Sequence, residues 1–414
     1  MRPFAIVDAR ASFASRLLLG ALIAAWTAAI SLLLLHRIVV SNDSLSNYGH
    51  VWLITEHLRE HHSLPWNLPA LLHGEGQAYP YGFLPWTLAA LLHPLLGDWV
   101  STLFMAVGAG GVIAGTFAAL PELRRPLPAA CALANPVLVE MFVLFQLPFA
   151  WAAALFLWAA WAFRRERMVA ATLFAGAAQA THAAVLMPIT AVAFLFAWNI
   201  FPGRRRGLAM SYAVSVAVAL PAAAIVLASP VVSDASRTTV LANFAETVGW
   251  RALVFIVPAA LAWLTTRQPR GLWPAAILFL ALNPLLVPVR HSVFAWGLLF
   301  REPDGQVAAF TRTPAFEPGA TYRVLRAGDG KMGMYQILKA GGRLDSEFFP
   351  ESIDRRSWPS QQDYAAFLSK RRVDYVLIFA SYNRRFGTNE ESLLNTMSGS
   401  HCASMAARTS SPIR

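Results

Sequence analysis

Residues 17–35 read LLLGALIAAWTAAISLLLL, a run without a single charge. A bilayer core takes roughly 20 apolar residues per helix. Further runs of the same kind follow, and the spans expected from them are 17–38, 80–96, 99–120, 127–145, 147–163, 168–182, 184–201, 207–228, 251–266 and 271–288. No soluble fold needs nine or ten near-continuous apolar segments. The fold class is therefore an all-α polytopic membrane bundle over residues 1–300, carrying an outer loop at 39–79. A soluble-looking portion follows at 301–396, and the Ser/Ala-rich stretch 397–414 reads as a disordered tail.

Composition agrees. The chain is 56% hydrophobic and 14% charged, against about 25% charged in an ordinary soluble domain. A net charge of +11 invites a nucleic-acid reading. Its distribution argues against one: residues 1–300 hold no Lys, and many of their Arg residues gather in short loops (Arg124-Arg125, Arg164–Arg167, Arg204–Arg206, Arg267 to Arg270). Such clusters mark the cytoplasmic ends of membrane helices. Cys131 and Cys402 stand too far apart in sequence to suggest a disulfide framework or a thiolate metal site. The first apolar run is too long for a signal-peptide core and reads as a retained anchor.

With Arg2, Arg10 and Arg16 inside, loop 39–79 and the tail from about residue 290 fall outside. Residues 80–120 fit less simply. Two crossings there would carry Arg124-Arg125 outside, whereas Pro85 and Pro94 suit a partial or re-entrant helix and a single crossing. Both arrangements stay open at this point.

The outer loop holds the first candidate chemistry. Ser41-Asn42-Asp43-Ser44 are residues that cap a helix N-terminus. An amphipathic stretch follows, with Tyr48, Val51, Trp52, Thr55 and Leu58 on one face, as expected of a helix lying in the membrane interface. Pro65-Trp66-Asn67-Leu68-Pro69 ends it, and His73–Gly82 (HGEGQAYPYG) returns to the bilayer. This order resembles the first luminal or periplasmic loop of the GT-C-type glycosyltransferases that use polyprenyl-phosphate sugars. The resemblance implies that Asp43 is either a catalytic base toward an acceptor hydroxyl or a metal ligand. Read without it, Asp43 is a helix cap. Many members of that superfamily carry paired acids, whereas Asn42-Asp43 supplies one, so a divalent metal is allowed but not indicated.

Ionisable residues at membrane depth are costly and mark functional candidates. Glu140 lies near the outer end of span 127–145, as a second acidic group or an interfacial carboxyl. Phe145-Gln146-Leu147-Pro148-Phe149 resembles a Gly-Gln-Leu-Pro-Phe-like turn of bacterial GT-C-related proteins, with Phe145 in the glycine's place and Gln146 as a substrate contact. His182, between two short apolar runs, would donate an N–H to a lipid-linked phosphate or serve a structural role. Arg290, beyond the last span, suits a bidentate phosphate contact or a solvated position.

In the tail, Thr321–Leu325 and Met334–Leu338 read as strands, 360–372 as a helix, and Val373–Phe379 as a strand, giving a small extracytoplasmic α/β domain. The residues from Glu347 to Ser352 (EFFPES) resemble the same bacterial proteins, and Glu347 and Glu351 are candidates for binding sugar hydroxyls. With 16 basic and 12 acidic residues in 301–414, the tail is no polyanion-binding surface. The resemblance implies transfer of a sugar from a polyprenyl-phosphate donor to a glycan or lipid acceptor at a bacterial inner membrane. The alternative is a non-catalytic protein that binds or translocates a lipid-linked glycan.

Overall fold

The computed structural model describes residues 13–35, 43–228, 234–291, 305–325, 330–346, 348, 357–378 and 389–396. Helices dominate. α1 (Phe13–Leu35) is followed by α2 (Ser44–His61), a short hairpin of β1 (Asn67–Leu68) and β2 (Gly76–Gln77), and α3 (Phe83–Leu96). The bundle continues through α4 (Trp99–Ala119), α5 (Pro126–Leu133), α6 (Pro136–Val143), α7 (Leu147–Arg164), α8 (Met168–Thr181) and α9 (Ala183–Ile200). α10 (Arg205–Ala228), α11 (Asp234–Arg267) and α12 (Leu272–His291) complete it. Among the described residues six helices are long and apolar enough to cross a membrane: α1, α4, α7, α9 and parts of α10 and α11. The pair α5–α6, bent by 40°, adds a seventh if it counts as one span, while α3 and α8 are shorter apolar helices. This is a multi-pass helical membrane protein.

The expected span 127–145 is thus broken, and the reason lies in Asn135-Pro136. Proline cannot continue the ladder, and the Asn135 side chain accepts from the Val137 amide at 3.1 Å, starting a new helix. The break leaves carbonyls at membrane depth that something must satisfy. Trp26 Nε1 donates to Leu133 O at 2.9 Å and Asn283 Nδ2 to Ala134 O at 2.7 Å.

Within residues 80–120 α4 is long and apolar enough to cross a membrane, and α3 is a shorter apolar helix. α3 begins at Gly82, whose amide donates to Thr181 O at 2.7 Å at the end of α8. α4 begins beside the end of α1, where Trp99 Nε1 donates to Leu34 O at 2.8 Å. Both ends of α3 therefore sit at one end of the bundle. The other end collects arginines: Arg164 reaches Ala119 O at 2.6 Å and Glu122, and Arg204 pairs with Glu166. Arg124-Arg125 belong to that arginine end, as the single-crossing arrangement requires.

α2 departs from the expected interfacial helix. Every residue from Ser44 to Val51 is buried, because α3, α4 and the tail enclose it. Tyr48 Oη bonds Thr102 Oγ1 at 2.9 Å, and Thr55 Oγ1 donates to Ala90 O at 3.2 Å.

The described tail holds α13 (Gly305–Phe310), β3 (Thr321–Leu325), α14 (Gly330–Lys339), β4 (Arg343–Leu344), α15 (Gln361–Lys370), β5 (Tyr375–Ile378) and α16 (Glu390–Thr396). The strands form a parallel sheet in the order β4–β3–β5. Met334–Leu338, expected as a strand, is helical within α14. Met334, Tyr335, Ile337 and Leu338 fall on one helical face, and all four are buried. Arg323 in β3, 1% exposed, is held between Asp345 and Glu390, each at 3.0 Å.

Several contacts fasten this tail to the bundle, among them the Leu344 amide donating to Ala70 O at 2.8 Å. Phe348 sits where a side chain on Gly49 would be, its ring 2.2 Å from the position of an added Cβ. Asp98, between α3 and α4, accepts from Tyr335, from Lys339 Nζ at 2.9 Å and from His93 Nε2 at 3.2 Å. Burial pushes the Asp98 carboxyl up, but the bonds from His93, Tyr335 and Lys339, with the Lys339 charge, outweigh it and hold its pKa at about 2.

An alanine replacing glycine within a helix ordinarily stabilises it by roughly 1 kcal/mol. Gly49→Ala is expected to do the opposite, lowering the Tm of the purified protein in detergent, and Phe348→Ala in the same chain should remove the clash and reduce the added penalty. The Asp98 contact carries its own signature. Its folded pKa lies below the ordinary 3.8, so its contribution, about 2 kcal/mol, is present above pH 3.8 and is lost as pH falls toward 2. Proteolysis of the tail followed from pH 5 to 2 should accelerate over that interval in the wild type, and Asp98→Asn should flatten the acid dependence.

Candidate functional site

At the end of the bundle opposite the arginines, four chain breaks meet: the start of α2, the turn between α6 and α7, the junction of α8 and α9, and the return into α3. Asp43 is half-buried at the N-cap position of α2, but its side chain makes no capping bond to the helix. The cap reading of Asp43 is therefore corrected. Its backbone is fixed instead: the amide donates to Leu144 O at 3.1 Å.

Asn47, one turn into α2, locks the same corner. Its Nδ2 donates to Asp43 O at 2.8 Å and to Phe145 O at 3.0 Å, while its Oδ1 accepts from Trp86 Nε1 at 2.8 Å. His50 stacks on Trp86 with centroids 4.2 Å apart. Gly82 enters this corner with φ +81°, and a Cβ there would lie 2.7 Å from the Trp86 ring, so only glycine fits. Phe145, at φ +57°, adopts the left-handed backbone that a glycine would take without strain. The Phe145 ring, fully buried and stacked 5.8 Å from Tyr48, holds it there. The neighbouring Gln146 starts α7 and is half-buried.

Glu140, 4% exposed near the end of α6, accepts from Trp250 Nε1 at 2.6 Å. The next residue, Arg251, donates from Nη1 to His182 Nε2 at 3.1 Å and lies 5.3 Å from the Phe149 ring centroid. Because a guanidinium only donates, Nε2 must accept, which places the His182 proton on Nδ1. That atom is buried and has no hydrogen-bond partner among the described residues, in a side chain 6% exposed. Tyr81 stacks on the imidazole at 5.2 Å and 7°.

These contacts close a ring: Asp43 to Leu144, Glu140 through Trp250 and Arg251 to His182, Tyr81-Gly82 through Trp86 and Asn47 back to Asp43. Of the residues expected from sequence, Asp43, Glu140, Gln146 and His182 come together here. Glu347 and Glu351 lie outside the described residues, as does the side chain of Arg290 in α12. Trp250, Arg251, Asn47, Trp86 and Tyr81 were missed. Arg251 carried a readable signal, since an arginine at the end of a span far from the arginine loops runs against the charge bias. Among the described residues no three His, Cys, Asp or Glu side chains cluster for a metal.

The fold thus defines a multi-pass helical membrane protein with a polar site at one end of its bundle. No family model, curated protein or solved structure matches the chain.

His182→Phe keeps the aromatic stack on Tyr81 but removes the acceptor for Arg251. Removing the acceptor of a half-buried charged donor costs stability, so the variant should melt at a lower temperature than wild type. A Gln at the position, which still accepts, should lose less.

Proposed function

We propose that this protein is a glycosyltransferase that moves a sugar from a polyprenyl-phosphate donor to a cell-envelope glycan or lipid. The observation that carries this reading is a half-buried carboxylate (Asp43) at the same bundle end as a buried imidazole (His182) whose Nδ1 has no hydrogen-bond partner among the described residues. In the reaction the acceptor hydroxyl attacks the anomeric carbon, the bond from that carbon to the phosphate oxygen breaks, and polyprenyl phosphate leaves. Asp43 takes the acceptor's proton as the new bond forms. His182 Nδ1–H donates to a phosphate oxygen, and Arg251 adds positive charge beside it. Glu140, through Trp250, holds the neighbouring turn of α11.

The same reading puts the arginine end in the cytoplasm, following the charge bias. The site and the small α/β tail then face outward from a bacterial inner membrane. That side suits a lipid-linked donor, because no Gly-rich nucleotide-phosphate loop is present in the sequence.

The test is transfer from radiolabelled polyprenyl-phosphate sugars in membranes carrying wild type or Asp43→Asn. Wild type should transfer label, and Asp43→Asn should fall at least a hundredfold, in the range expected for a lost general base, while still binding donor. Background counts in both with donor bound would instead identify a glycan-lipid binder, and equal counts above background would remove Asp43 from the base role.

A further inference from the structure

A second feature stands apart from this site, at the arginine end and on the lipid-facing side. α1 is loosely held, with 11% of its most apolar window buried. Between α1, α4 and α5 runs a cleft of about 540 Å³, lined by Leu19, Ile23, Trp26, Ile113, Phe117 and, at one end, Arg124. Leu19 to Ser31, the α1 residues that bound it, span about 18 Å at 1.5 Å per residue. One leaflet of a bilayer core is about 15 Å deep, so the cleft has the length of one acyl chain.

Its charged end is equally specific. Arg124 is exposed, and its Nε donates to Phe117 O at 3.1 Å. That bond fixes the guanidinium at the cleft mouth and leaves its two terminal nitrogens for another acceptor. Arg125 is exposed beside it, whereas Arg164 and Arg204 are already paired with Glu122 and Glu166. A buried acyl chain is matched by the apolar lining, and an anionic headgroup by the two arginines, which are attracted to an anionic surface.

We propose that this cleft holds one acyl chain of an anionic phospholipid from the arginine-side leaflet, with its headgroup phosphate on Arg124. The inference does not depend on the transferase reading. Trp26 in the cleft wall makes it measurable. The full-length protein is placed in phosphatidylcholine nanodiscs containing a minor fraction of either brominated phosphatidylglycerol or brominated phosphatidylcholine. The Trp26 signal is taken as the difference between wild type and Trp26→Phe.

Brominated phosphatidylglycerol should quench that signal at least twofold more than brominated phosphatidylcholine at the same mole fraction. Arg124→Gln should equalise the two. Because Trp26 also bonds the α5–α6 break, native mass spectrometry of the wild type and Arg124→Gln provides a readout without the Trp26 variant. Retained phosphatidylglycerol should be lost on Arg124→Gln in chains whose circular dichroism is unchanged. Equal quenching by both lipids in the wild type, or retention indifferent to Arg124, would overturn the proposal and leave the cleft to ordinary annular lipid. Displacement of the quencher by polyprenyl phosphate but not by unlabelled phosphatidylglycerol would overturn it in favour of a prenyl chain.

Discussion

The side chain of Asn47 is the junction on which the end of this bundle opposite the arginines depends. It is 1% exposed and uses both ends of its amide: two carbonyls on one side, the indole of Trp86 on the other. Through it the start of α2, the turn into α7 and the first turn of α3 are held at fixed distances. An aliphatic residue there would leave two carbonyls and an indole N–H buried without partners, a large penalty in a low-dielectric setting. The position of Asp43 follows from this junction, since the carbonyl that Asn47 holds is Asp43's own.

The same constraint governs the rest of the bundle. Inside a bilayer an interrupted helix survives only where its freed backbone groups find protein partners. Trp26 and Asn283 serve the break between α5 and α6, and the Gly82 amide serves Thr181 at the break after α8. Polar side chains far apart in sequence are thereby drawn to the breaks. This is why Glu140 and His182, 42 residues apart, reach one site: each lies within a few residues of a place where a helix stops.

Much of the architecture was legible in the sequence, because length and apolarity are what a membrane helix requires. The strand at 321–325 and the helix after Ser360, whose side chain accepts from the Asp363 amide at 3.1 Å, were legible too. Local signals failed where tertiary packing decides. Met334–Leu338 is apolar enough to satisfy either period, and its burial against α2 and β3 made it a helix. The surface-like pattern of α2 gave no hint that the tail would cover it, since Phe348 reaches Gly49 from about 300 residues away. Asn47 and Trp86 read individually as an ordinary polar and an ordinary apolar position, and only their pairing across the corner gives them a role.

Phe145 shows how such a site bears a locally unfavourable residue. A bulky side chain at φ +57° costs of order 1–3 kcal/mol, and the turn keeps it because the ring is fully buried against Tyr48 while its carbonyl holds Asn47. A phenylalanine rather than a glycine at this position therefore exchanges backbone ease for aromatic packing. The exchange has a geometric consequence: a glycine would let the turn flex, whereas the buried ring ties it to α2. Asp43, bonded by its amide to the residue just before Phe145, is held in place by that packing rather than by any cap of its own helix. The rigidity of the carboxylate's backbone is thus a property of the α6–α7 turn, and it extends only as far as that turn stays packed.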